Sequence, residues 1–262
     1  MTATRSASLM AIAAFLDETL AVAVVPDYPN ALNGVQLANA GPIERIATAV
    51  DFSSATVRET IAAGARLLIV HHGMFWGGTQ PITAHRYERL RALIVNDVAV
   101  YSAHLPLDVH PRLGNNALLA RRLGLTPNAG YVRYQAIDVG LSGDDEISTA
   151  TLAERAGELA REFGGTIVVT PFEARRVTRR WGICTGAGAD SASLREAASR
   201  GLDTLIVGEG PHHTAIEAGE LGIVVMYAGH YATETLGVRA LGEDVAAHFG
   251  LSSLFIDVPS GL

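Results

Sequence analysis

Two stretches of this chain align without a gap at an offset of 137 positions, Val57–Gly73 (VRETIAAGARLLIVHHG) over Leu194–Gly210 (LREAASRGLDTLIVGEG). Seven of the 17 positions are identical: Arg58, Glu59, Gly64, Leu68, Ile69, Val70 and Gly73 meet the same residues at 195, 196, 201, 205, 206, 207 and 210. Each copy reads as a helix, a glycine that can end it, and a short apolar strand. Each also carries a capping-box spacing, Thr56…Glu59 and Ser193…Glu196. An internal duplication explains more identities than two unrelated βα units would share. The chain is therefore expected to fold as two similar α/β halves, each a mostly parallel sheet flanked by helices. The halves are assigned to residues 1–125 and 126–262, with a terminal helix that can pack back on the first.

The flanking sequence extends the same grammar. In the first half a helix is expected over Ser8–Ala23, broken by Pro26–Asn30, with a turn at Asn33-Gly34. Strands follow at Ile46–Val50, Arg66–Val70 and Val98–Ser102, and helices at Ser53–Ala63 and Ala84–Val95. In the second half the strands are Arg179–Cys184, Thr204–Val207 and Ile223–Tyr227. The helices are Asp190–Arg200, His213–Leu221 and a long one reaching about His248. Between the halves lie a strand-like Val132–Val139, a polar turn at Ser142–Glu146, a helix at Thr151–Phe163 and a strand at Thr166–Thr170.

Composition removes several function classes. The formal charge is −7 and there is no basic stripe, so general nucleic-acid binding is disfavoured. Cys184 is the single cysteine, which rules out an intrachain disulfide and a thiolate metal cage within one chain. No apolar run reaches the length of a membrane span, and Asp17 and Glu18 interrupt the first one, so cytoplasm is the expected address. Any metal must be held by imidazole and carboxylate, a set that accepts Zn, Mn, Fe, Ni or Co.

Those residue types gather at the C-terminal ends of the expected strands, where open α/β sheets place ligands. His71-His72 lies just past one strand, with Gly73, Gly77 and Gly78 behind it. The next strand leads to His104 and Asp108. The last leads to Gly229-His230-Tyr-Ala-Thr-Glu234, an i, i+4 pair at a helix start. The three histidines His71, His72 and His230 with the two carboxylates Asp108 and Glu234 suit two divalent ions better than one, and a bridging hydroxide could then serve as nucleophile. Glu209, His212 and His213 occupy the second-half equivalent of the His71-His72 loop and read either as acid or base groups facing the metals or as a helix-start cluster. Phe75 and Trp76 could stack on a planar ring or meet another subunit. Gly186-Ala-Gly188-Ala-Asp190 follows a strand and opens a helix, so it could cup a phosphate, but it lacks the full spacing of a dinucleotide site. His85, His110 and His248 read as surface or packing residues.

The motifs YSAHLPLD, LIVHHGMFWGG, NGVQLAN and AGHYATE resemble those of the Nif-three-like family, whose members carry the names GTP cyclohydrolase I type 2 homologue and dinuclear metal-centre hexameric protein. The likeness runs from Asn33 to Pro259. It implies a homohexamer of two-domain α/β subunits, with two divalent ions per subunit on His71, His72, Asp108, His230 and Glu234, the last bridging. His104 lies in the same motif as Asp108 and is assigned to supporting the metal ligands or to proton transfer. The expected activity is metal-dependent hydrolysis of a small, nucleotide-like molecule, with His104 and His213 moving protons. The competing expectation is a metal-handling or regulatory protein without turnover.

Overall fold

The computed structural model describes residues 5–262 and divides them into two compact units. The first comprises residues up to Leu107 together with Gly237–Val258; the second comprises Asp108–Leu236 and Pro259–Leu262.

In the first unit, α1 (Leu9–Thr19) precedes the edge strand β1 (Gly34–Leu37). Then come β2 (Arg45–Asp51), α2 (Ser54–Ala62), β3 (Leu67–His72), α3 (Ala84–Val95) and β4 (Ala99–Ser102). The short helix α4 (Leu105–Asp108) and α5 (Asn115–Leu123) follow along the chain. The second unit continues with β5 (Ala129–Tyr134), β6 (Ile137–Ser148), α6 (Thr149–Glu162), β7 (Val168–Val169) and β8 (Val177–Cys184). After these are α7 (Ser191–Ser199), β9 (Thr204–Val207), α8 (His212–Glu220) and β10 (Val224–Tyr227). Helix α9 (His230–Phe249) begins in the second unit, and β11 (Ser252–Phe255) belongs to the first.

The first sheet has the order β1-β4-β3-β2-β11, parallel throughout except for β1. Its central strand, LLIVHH, is apolar for four residues because helices cover both faces of a parallel sheet. Leu68, Val70, Val100 and Val57 are among the buried side chains of the first core. Each contributes about 1.5–3 kcal/mol by leaving water. The second sheet has the order β5-β6-β8-β9-β10-β7. Only its centre, β8-β9-β10, is parallel. The β5–β6 hairpin and β7 join it antiparallel, so this sheet is mixed rather than mostly parallel.

Three local expectations change. Both His71 and His72 lie within β3, because Asp51 pairs with His72 and carries the ladder to the strand's last residue. The polar Ser142–Glu146 segment is strand, not turn. Its acids face arginines on β8, with Arg180 Nε 3.2 Å from Asp144 Oδ1, and a bulge between Asp144 and Ile147 absorbs the irregularity. The capping boxes sit three residues earlier than read from sequence. Ser53 caps α2 with Thr56 at N3, and Asp190 caps α7 with Ser193 at N3. Those positions again differ by 137.

Candidate metal-binding residues

In the first unit three imidazoles converge. His71 and His72 end β3, and His104 follows β4, the adjacent parallel strand. Ring centroids are 4.8 Å apart for His71 and His72, 4.9 Å for His71 and His104, and 5.8 Å for His72 and His104. One ligand-type nitrogen from each lies within 4.8 Å of the others, so the group could hold a metal ion. His71 is fully buried and His104 nearly so.

Each ring is anchored through Nδ1. His71 Nδ1 is 2.8 Å from the carbonyl oxygen of Ala103. A carbonyl can only accept, so Nδ1 carries the hydrogen and the lone pair falls on Nε2. His72 Nδ1 donates to Asp51 Oδ1 and His104 Nδ1 to Asp27 Oδ1, both at 2.8 Å. Asp27 also accepts from Asn33 Nδ2 and from the backbone of Tyr28 and Leu105. Burial pushes the Asp27 carboxyl up, but the His104 hydrogen bond and charge, with the other donors, outweigh it and hold the group below the usual carboxylate range.

The second unit gathers carboxylates around one further imidazole. His230 and Glu234 open α9, one turn apart, with Nε2 3.1 Å from Glu234 Oε2. Glu209, just beyond β9, accepts from His230 Nδ1 at 2.8 Å. Burial alone pulls the imidazole pKa down. Glu234 and then Glu209 overcome that and raise it to about 9, so in the metal-free chain His230 is an imidazolium near neutrality. Asp108 is buried and fixed by Asn115 Nδ2 at 2.8 Å and by the Thr185 hydroxyl at 3.5 Å. Next in sequence, Gly186 lies against Glu234 and His230, so closely that a Cβ there would strike the Glu234 carboxylate. The Gly186–Asp190 segment, considered from sequence as a phosphate cup, thus begins as a backbone floor under two ligand-type side chains. His212 and His213 occupy the exposed first turn of α8.

These donors suit a metal of borderline character. A histidine ligand ordinarily donates its second ring N–H to a carboxylate or carbonyl, which fixes tautomer and orientation. His71, His72, His104 and His230 all do so. The 3.1 Å between His230 Nε2 and Glu234 Oε2 also matches two donors each about 2.1 Å from a shared ion.

Sequence reasoning missed the anchors. Asp27, Asp51 and Thr185 carry no motif of their own, and each is recognisable only through the side chain it holds. Glu209 was legible as a candidate because it stands where His72 stands in the 137-residue offset.

Residues 7–260 match the model of the Duf34/NIF3 (NGG1p interacting factor 3) family. A protein of Halobacterium salinarum named GTP cyclohydrolase 1 type 2 homolog is 43% identical over 248 residues, covering 91% of this chain and 94% of that one. One of Deinococcus radiodurans with the same name is 39% identical over 250 residues, covering 95% and 92%. Among solved structures, protein ybgI, described as of unknown function, superposes with a TM-score of 0.85 at 34% identity, over 98% of this chain and 100% of its own. Protein TTHA1606 of Thermus thermophilus gives 0.85 at 33%, over 98% and 100%.

Proposed function

The chain belongs to the Duf34/NIF3 family, and from that premise we propose that it binds two divalent metal ions with His71, His72, Asp108, His230 and Glu234 and hydrolyses a small nucleotide-like molecule. The observation that carries the metal reading is the common anchoring of the histidines at Nδ1 by a carbonyl or carboxylate. The word cyclohydrolase in the relatives' names supports the reaction class.

Divalent ions, when bound, supply Lewis acidity and lower the pKa of water. The chain's own side chains do the rest. Asp51 and the Ala103 carbonyl hold His72 and His71 in the tautomer that presents Nε2, and Glu209 orients His230, which would present Nε2 once its proton is lost. Asn115 and Thr185 hold one oxygen of Asp108. His104, oriented by the buried Asp27, is the proton carrier in this reading: a carboxylate on Nδ1 stabilises the imidazolium formed when Nε2 takes a proton. His213, exposed on α8, is the second candidate for proton transfer.

A homohexameric assembly and a cytoplasmic address belong to the same proposal. Among the described residues no helix is long and apolar enough to cross a membrane, and the net negative charge argues against general nucleic-acid binding.

Elemental analysis of gently purified protein beside His72→Ala and Glu234→Ala tests the metal claim. About two ions per chain, falling sharply in both variants, is expected. Wild-type protein that is metal-free and takes up no added Mn, Fe or Zn would refute it. With metal established, His104→Ala should abolish hydrolysis of a nucleotide panel and keep the metal. Loss of metal would make His104 a ligand. Metal-loaded wild type inert across the panel would favour the metal-handling function.

A further inference from the structure

Helix α3 carries two arginines, Arg86 and Arg89, three positions apart and so on one face. Among the described residues neither is in an ion pair, whereas at least eight other arginines are. Glu88, the one acid of α3, lies between them in sequence and is exposed.

Both arginines contact residues that border the imidazole cluster of the same unit. The guanidinium of Arg89 stacks over the Phe52 ring, 5.0 Å from its centroid, and Nη1 donates to the Phe52 carbonyl at 3.2 Å. Phe52 in turn donates its N–H to the carbonyl of His72, and the residue before it is Asp51, the anchor of His72. On the other side, the Arg86 guanidinium and the Gln80 amide close on Gly77, to within 3.4 and 3.5 Å of where a side chain there would begin. Gly77 follows Trp76, whose ring lies 4.5 Å from His104 and 5.5 Å from His72.

Two neighbouring cations without a carboxylate repel each other. Arg89 bears the larger cost: burial, then the charge of Arg86, lowers its pKa, and its Nε is buried without a hydrogen-bond partner. An anion would relieve the repulsion, and guanidinium forks match phosphate oxygens well. We propose that Arg86 and Arg89, with Gln80 beside them, form a subsite for a phosphate group of the molecule on which the imidazole cluster acts.

The anion subsite rests on the hydrolase reading only for the identity of the bound molecule. Pyrophosphate titrated calorimetrically into EDTA-treated protein probes it without metal or turnover. Wild type should bind, and Arg86→Gln and Arg89→Gln should each weaken binding about tenfold, the loss of one charge-assisted contact. Arg91→Gln, the same charge change on the same helix two positions further on, should leave it unaltered. Circular dichroism confirms folding, and because Arg89 also packs on Phe52, the Arg86 variant decides if the Arg89 variant unfolds. No pyrophosphate binding by wild type, or equal loss in Arg86→Gln and Arg91→Gln, would overturn the subsite. Metal content of the same preparations before EDTA treatment separates this outcome from failure of the metal claim.

Discussion

His104 Nδ1 and Asp27 Oδ1 meet at 2.8 Å with both side chains almost wholly buried. The carboxylate accepts from three further donors, the amide of Asn33 and the backbone of Tyr28 and Leu105. Truncating Asp27 to Ala would strand buried donors and should cost about 3 kcal/mol, the scale for breaking a buried charged pair. Asp27→Asn should retain part of this and lose its pH dependence. The folded carboxyl titrates below its ordinary 3.8, so its contribution is complete above that pH and is lost as pH falls through the folded value. Urea unfolding from pH 6 to 3 should show wild type losing stability at the acid end more steeply than Asp27→Asn. Parallel curves would remove Asp27 as a source of acid sensitivity.

If His230 is a ligand as proposed, its raised pKa makes metal uptake a competition with a proton. Burial favours the neutral ring, but Glu234 and Glu209 together lift it to about 9 in the metal-free chain. The stabilisation this ion pair gives the metal-free fold is present below the unfolded value of 6.5 and fades as pH rises through 9. Metal affinity has the opposite trend: below pH 9 it should rise about tenfold per pH unit for this one proton, on top of any other proton released. Isothermal titration at several pH values measures the slope. A flat profile between pH 6 and 8 would show that His230 is not a ligand or is already neutral.

Much of the fold was legible because it is written locally. The apolar run Leu67–Val70, the Gly64 and Gly201 stops, which both adopt left-handed φ, and the 3.6-residue rhythm of α3 are short-range patterns. Where charge alone spoke, sequence misled: the Asp144-Asp145-Glu146 run imitates a turn until Arg179 and Arg180 are seen opposite it on β8. The ligand-type residues were legible for a similar reason, since each stands at the end of a recognisable strand or a few residues beyond it. Their anchors were not. Asp27 is 77 residues from His104 and stands in a segment that reads as a helix breaker, and Asp51 is 21 residues from His72. Such pairings are made by neighbouring strands and loops in space, and single-sequence periodicity is blind to them.

Gly186 offers a test of the second-unit cluster that leaves every ligand-type side chain in place. Its φ of +64° disfavours an L side chain, and its missing Cβ is the room that Glu234 uses. Gly164 has a comparable φ of +74° with open space around it. Replacing either with Ala should cost about 1 kcal/mol of backbone strain. Gly186→Ala should in addition displace the Glu234 carboxylate and lower metal affinity at least about tenfold, the equivalent of one ligand anchor. Equal metal content in the two variants would mean that Glu234 does not need its present position to bind.

Cys184 supplies a chemical reporter of the same region. It is buried at the end of β8, directly before Thr185, which contacts Asp108. Burial pushes the thiol pKa up, and the charges of Asp108 and Glu234 push it further, so the reactive thiolate is scarce at pH 8. A thiol reagent such as a disulfide dye should therefore label folded protein at the rate of global or local opening and label urea-unfolded protein at once. If metal neutralises the two carboxylates and tightens the unit, adding Mn or Zn should slow labelling of the folded state further, while Glu234→Ala should lose that protection. Rapid labelling of metal-loaded wild type would contradict both the burial of Cys184 and the coupling of metal to this end of β8.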